Sequence, residues 1–137
     1  MNWLINIHEA NVFLNGKQVL NSINWTMKNN ENWAVVGVNG AGKSSFMKLI
    51  FGELIPIYGG RVRWFGSKVH KPLSDIRKRI GFVSAEYQEE YPPNILGRDV
   101  VVSGFFSSIG LYRRANSKQK KTATDWMEFL EIQDLCN

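Results

Sequence analysis

Gly37-Val38-Asn39-Gly40-Ala41-Gly42-Lys43-Ser44 has the residue types and spacing G-x-x-x-x-G-K-S. Glycines at 40 and 42 let a backbone close into a tight ring without Cβ clashes. Successive N–H groups then point into the ring and form a nest for an anion. A helix opening near Gly42 adds its unpaired amides and the positive end of its dipole. Lys43 reaches the β- and γ-phosphates of a nucleotide, and the Ser44 hydroxyl is a Mg²⁺ ligand. Ser45 falls on the α-phosphate side. The chemistry implied is binding of a nucleoside triphosphate, with Lys43 and the loop amides stabilising charge on a transferring phosphoryl group.

That chemistry needs a strand before the loop and a helix after it. Trp33-Ala34-Val35-Val36 is a short apolar, β-branched run and reads as a buried strand. Ser45 to Phe51 lacks Gly and Pro, places Phe46, Leu49 and Ile50 at helical spacing, and meets a helix stop at Gly52. A Gly-rich turn with a chance GKS is the competing reading, and this context weighs against it.

Further elements follow from local signals. Trp3, Ile5 and Ile7 alternate, Val12-Phe13-Leu14 runs into Asn15-Gly16, and Ile23, Trp25 and Met27 alternate again. Asn-Gly between apolar segments predicts a hairpin, so an antiparallel β region precedes the loop. After Tyr58-Gly59-Gly60, Arg61 to Phe65 predicts a strand ending at Gly66. Residues 74–79 predict a short helix, Ile80-Gly81-Phe82-Val83-Ser84 a strand, and residues 86–94, with Pro92-Pro93, a loop. Val100 to Phe106 reads as helix in context, although its β-branched triplet also suits a strand. Ser117 is the expected N-cap of a last helix whose Trp126, Phe129 and Leu130 share one core-facing stripe.

Bulk properties set limits. A length of 137 residues predicts one domain, and a hydrophobic content of 44% supplies a core. No run nears the about 20 apolar residues of a membrane span. The first residues lack a basic region and a long apolar stretch, so no secretory signal is read. A single Cys136 forms no internal disulfide and suits a reducing cytoplasm, and one Cys with two His, His8 and His70, builds no Cys/His zinc site. His70, between Val69 and Lys71, reads as a surface residue. The net charge of +5 gathers at Arg77-Lys78-Arg79, Arg113-Arg114 and residues 118–121. Aromatic and basic residues do not interleave in the manner of a nucleic-acid surface, so solvated helix faces are the preferred reading and a nucleic-acid partner is not expected.

The element order resembles the N-terminal part of an ATP-binding cassette (ABC) ATPase domain: antiparallel β region, phosphate loop, helix ending in Gly, turn, strand, then Ile80–Ser84. Val101-Val102-Ser103-Gly104-Phe105-Phe106-Ser107-Ser108-Ile109-Gly110-Leu111-Tyr112 is similar to a subgroup related to the ATP-binding protein of molybdate transport. The resemblance spans nearly the whole chain. It implies an α/β fold of the ABC type, with the nucleotide-binding core over residues 1–95 and the start of a helical subdomain over 96–137. It implies ATP and Mg²⁺ as ligands. It also implies adenine against an aromatic of the first hairpin, where Leu14 holds the family position and Phe13 sits beside it; Phe13 is either that contact or plain core. The family's Gln after the strand is Ala85 here, and Gln88 is either its substitute or a solvated loop residue.

Other family parts do not follow Ser44: the Leu-Ser-Gly-Gly-Gln type signature, an apolar strand ending in Asp-Glu, and a switch His. Asp75, Asp99, Asp125 and Asp134 end no apolar strand. The chain is therefore expected to be the first part of a domain, inactive in hydrolysis alone. The complete ATPase would couple hydrolysis to transport with a second ABC subunit and a membrane permease, in the cytoplasm or at the inner face of the membrane. The readings kept beside it are a soluble ABC protein acting on ribosomes or nucleic acid, and a nucleotide-free fragment.

Overall fold

A computed structural model describes residues 3–67 and 72–136, so His70 and its neighbours fall outside the described residues. The chain divides into two compact units, Met1–Ile76 and Arg77–Asn137.

In the first unit, β1 (Trp3–Leu14) and β2 (Lys17–Lys28) form the expected hairpin. Asn15 and Gly16 both take positive φ, 50° and 76°, as a two-residue turn matched to the strand twist requires. β3 (Arg61–Trp64) pairs antiparallel with the other side of β1, giving the order β2-β1-β3. Along β1 the buried residues are Ile5 and Ile7, then Ala10 and Val12, so the inward phase slips by one residue between them. A bulge at Glu9 (φ 47°) supplies that slip, and a second at Ser22 (φ 45°) on β2 restores the register to Val12 opposite Leu20. Side chains close the gaps in the ladder. Asn24 Oδ1 accepts from the Glu9 amide at 3.0 Å, and Asn11 Oδ1 accepts from the Ser22 amide at 2.9 Å.

The helix α1 (Lys43–Phe51) lies where expected and ends at Gly52 (φ 75°). Its Leu49 is fully buried, and the Trp64 indole N–H donates to the Ile50 carbonyl at 2.7 Å, tying β3 to the helix. The short helix α2 (Leu73–Arg77) follows.

Two expected strands are not formed. Residues 31–38 carry no strand, with Trp33 56% and Val36 90% exposed. Ile80 to Ser84 is likewise irregular, and Val83 is fully exposed. Apolar β-branched sequence favours an extended chain, but a strand exists only through a paired neighbour, and none lies beside either segment among the described residues.

In the second unit, Ser84 caps α3 (Ala85–Glu89), a helical turn inside the stretch expected to be loop. Residues 100–106 are helical, as expected, within α4 (Gly97–Ser103) and a 3₁₀ turn over Gly104–Phe106. The last helix, α5 (Ser117–Phe129), is capped by Asn116 instead of Ser117. Asn116 Oδ1 accepts from the Gln119 amide at 2.8 Å, and Gln119 Oε1 accepts from the Asn116 amide at 3.0 Å. This reciprocal box satisfies two amides, which a hydroxyl one position later would not. The buried face of α5 is Ala123 and Met127, packed near Val102 and Ser103 of α4. Trp126 (54%) and Phe129 (75%) are exposed instead of forming the core stripe expected of them, as is Leu130. Their rings contact only each other's edges among the described aromatic pairs, at 5.7 Å.

Candidate phosphate-binding site

The glycine-rich segment joins β2 to α1, and one side chain holds both of its flanks. Trp25 of β2 meets Trp33, before the loop, edge to face at 5.4 Å, and Phe46, in the first turn of α1, at 5.3 Å. Such pairs are favourable beyond their area burial. Trp33 is further fixed by Glu31, whose Oε2 accepts from the Trp33 indole at 3.1 Å and from the Lys28 amide at 2.8 Å. The Lys28 amide, then the indole, hold the Glu31 carboxyl below its ordinary pKa. The positional roles of Trp25, Trp33 and Glu31 are not visible in the sequence pattern, which marks Trp25 only as half-buried. The spacing of aromatics on either side of the glycines is the one signal pointing to them.

Gly42 is the N-cap of α1 at φ 88°, and a Cβ there would stand 2.8 Å from the Val19 carbonyl oxygen. Only glycine admits both the left-handed turn and this approach of β2. The loop itself has a turn at Asn39-Gly40, with Gly40 at φ 82°, and its Ala41 amide donates to the Val38 carbonyl at 3.2 Å. The Phe46 amide closes the first helical bond onto Gly42, at 2.8 Å. The amides of Gly40, Gly42, Lys43, Ser44 and Ser45 form no hydrogen bond among the described residues. The first turn of α1 contains no acidic residue. Unpaired donors gathered at a helix N-terminus make an anion site.

Lys43 Nζ donates to the Gly37 and Val38 carbonyls, both at 2.8 Å. The ammonium is thereby held on two main-chain carbonyls of the glycine-rich segment itself. The Ser44 hydroxyl is exposed and, like that of Ser45, has no hydrogen-bond partner among the described residues. A free hydroxyl directly after Lys43 fits a hard, oxygen-seeking cation such as Mg²⁺.

The hairpin end lies beside this loop. Phe13 pairs with Gln18, one residue from the Val19 carbonyl that abuts Gly42. Phe13 and Leu14 are both exposed, and the Phe13 ring meets the edge of Tyr58 at 5.8 Å. Residues Gly37 to Ser45 and the hairpin end are thus gathered in one unit. Gln88 belongs to the other unit, exposed on α3.

With this geometry in place, comparison with known proteins is informative. A family model described as "ABC transporter" matches residues 20–137. The ABC transporter ATP-binding protein ModF of Escherichia coli is 34% identical over 88% of this chain and 25% of its own length. The zinc transport system ATP-binding protein TroB of Treponema pallidum is 35% identical over 69% of this chain and 34% of its own length. Among solved structures, cbiO1 of Clostridium perfringens, part of the ABC transporter complex cbiONQ, covers the whole chain with a TM-score of 0.66 at 21% identity, over 54% of its own length. The chain spans between a quarter and about half of the curated relatives it matches most strongly.

Proposed function

The chain belongs to the ABC transporter ATP-binding family, and from that premise we propose that its Gly37–Ser45 loop binds the triphosphate of ATP together with Mg²⁺. The observation that carries this reading is the set of unpaired amides of Gly40, Gly42, Lys43, Ser44 and Ser45 in the segment whose Gly37 and Val38 carbonyls hold the Lys43 ammonium. In binding, Lys43 exchanges its two loop carbonyls for phosphate oxygens, and the unpaired amides donate to the remaining ones. Ser44 holds Mg²⁺, which neutralises charge on the phosphates when bound. Phe13 offers its ring to the adenine from the hairpin end. Gln88 contributes to positioning water. Residues 1–95 act as nucleotide-binding core and 96–137 as the beginning of a helical subdomain.

In the complete protein this ATPase would act with a second ABC subunit and a membrane permease, at the cytoplasmic face of the membrane. The family and the name of the zinc transport system relative support a transport role for the whole protein. No described helix is long and apolar enough to cross a membrane.

The test is titration of the chain with a non-hydrolysable ATP analogue and Mg²⁺. Saturable binding that disappears in Lys43→Ala supports the proposal. Absence of saturable binding, or binding indifferent to Lys43→Ala, overturns it.

A further inference from the structure

A second site lies wholly within the unit Arg77–Asn137. An open cavity of about 580 Å³ is bounded by the start of α4, the loop after Gly110 and the first turn of α5. Arg98, Arg113, Arg114 and Lys120 line it, against one carboxylate, Asp99. Arg98 pairs with that carboxylate in a long ion pair, Nε to Asp99 Oδ1 at 3.9 Å, which leaves three cations in excess. The side chains of Arg113, Arg114 and Lys120 form no ion pair or hydrogen bond among the described residues. A concave wall of uncompensated cations concentrates polyanions.

Tyr112 gives the cavity a flat aromatic surface. Gly110 has φ 87°, and a Cβ there would fall 3.3 Å from Tyr112 Oη and 3.4 Å from its ring. The ring thus lies beside Gly110, where only a glycine leaves it this room, and 79% of the residue is exposed. Buried Val102 lies at the floor. The sequence shows Tyr112 next to only two basic residues; folding adds Arg98 from α4 and Lys120 from α5. An exposed ring beside the unpaired cations of Arg113, Arg114 and Lys120 is the arrangement with which proteins take bases and phosphates of an unpaired strand. An acidic peptide would answer the charge but gains little from an open ring face.

We propose that this cleft binds single-stranded nucleic acid, with one base stacked on Tyr112 and the adjoining phosphates on Arg113, Arg114 and Lys120. The site is separate from the Gly37–Ser45 loop and stands or falls independently of ATP binding there.

The test is fluorescence anisotropy of a labelled 12-nucleotide oligouridine titrated with the chain at several salt concentrations. Saturable binding is expected, weakening with salt, with a log–log slope of roughly −2 to −3 for three or four neutralised phosphates. Joint replacement Arg113→Ala and Arg114→Ala should make that slope shallower by about 1.4. Tyr112→Ala should weaken binding about tenfold or more, whereas Tyr112→Phe should retain it. Far-UV circular dichroism checks that these surface variants stay folded, and Lys43→Ala should bind the oligonucleotide as the parent chain does. The proposal is overturned by no saturable binding at low salt. It is overturned equally by loss in Lys43→Ala, which would place the strand on the phosphate loop. Efficient displacement by poly-glutamate, together with parent-like binding by Tyr112→Ala, also overturns it and identifies the cleft as a site for acidic peptide.

Discussion

Lys43 keeps its ammonium on two carbonyls of its own loop, so in the proposed site ligand entry would be an exchange of partners, not the capture of a free charge. Lys43→Ala removes the cation and should weaken Mg²⁺–ATP analogue binding by tenfold or more, measured by calorimetry, since charge-assisted hydrogen bonds contribute about 1.5–3 kcal/mol. Ser44→Ala should bring the affinities with and without Mg²⁺ together while leaving metal-free binding largely intact. Gly42→Ala meets both a φ of 88° and the Val19 carbonyl, so loss of nucleotide binding with a lowered melting temperature is expected. Glu31 gives a pH prediction. Its folded pKa lies below the unfolded one, so its contribution is present above the unfolded pKa and disappears as pH falls through the folded one. Trp33 fluorescence should change over that acidic interval, and Glu31→Gln should remove the change. At this scale the glycines, Lys43 and Ser44 were legible because the motif is local. The clamp by Trp25 was not, because it joins residues brought together only by folding.

Elements were legible where a short-range signal decides them. Asn15-Gly16 marked the hairpin and Gly52 the end of α1. The strands expected at 33–38 and 80–84 failed for a different reason: their hydrogen bonds need a distant neighbour, on which an apolar run is silent. The stripe on α5 failed similarly, since a helix with apolar residues on adjoining faces does not announce which one packs. Replacement Asn116→Ala deletes one half of the capping box and should cost about 1 kcal/mol, read as a lower thermal midpoint followed at 222 nm. Leu49→Ala empties a fully buried position where α1 meets the sheet and should cost about 2–5 kcal/mol. Trp126→Ser, on the exposed stripe, should leave the midpoint within about 0.5 kcal/mol of the parent.

At the scale of the whole molecule, the described chain is two units, each with its own buried residues: Ile7, Val12 and Leu49 in one, Val102 and Met127 in the other. Each unit also contains an apolar segment without regular structure, 31–38 in the first and 80–84 in the second. Amides of Val35, Val36 and Val83 should exchange with solvent rapidly, while those of Ile5 and Ile7 in the sheet exchange slowly, a contrast measurable by mass spectrometry after brief deuteration. No Asp-Glu pair ends an apolar strand in these 137 residues, so ATP turnover by the chain should be negligible even where binding is saturable. Steady turnover lost in Lys43→Ala would refute that. The paired irregularities at Glu9 and Ser22 carry one more consequence. Each is an insertion that alone would turn half a strand inside out, and each is the other's suppressor. Deleting either residue should destabilise the hairpin, whereas deleting both should return the two strands to a common register between Ile7 and Val12, much as two reading-frame shifts of opposite sign recover a message.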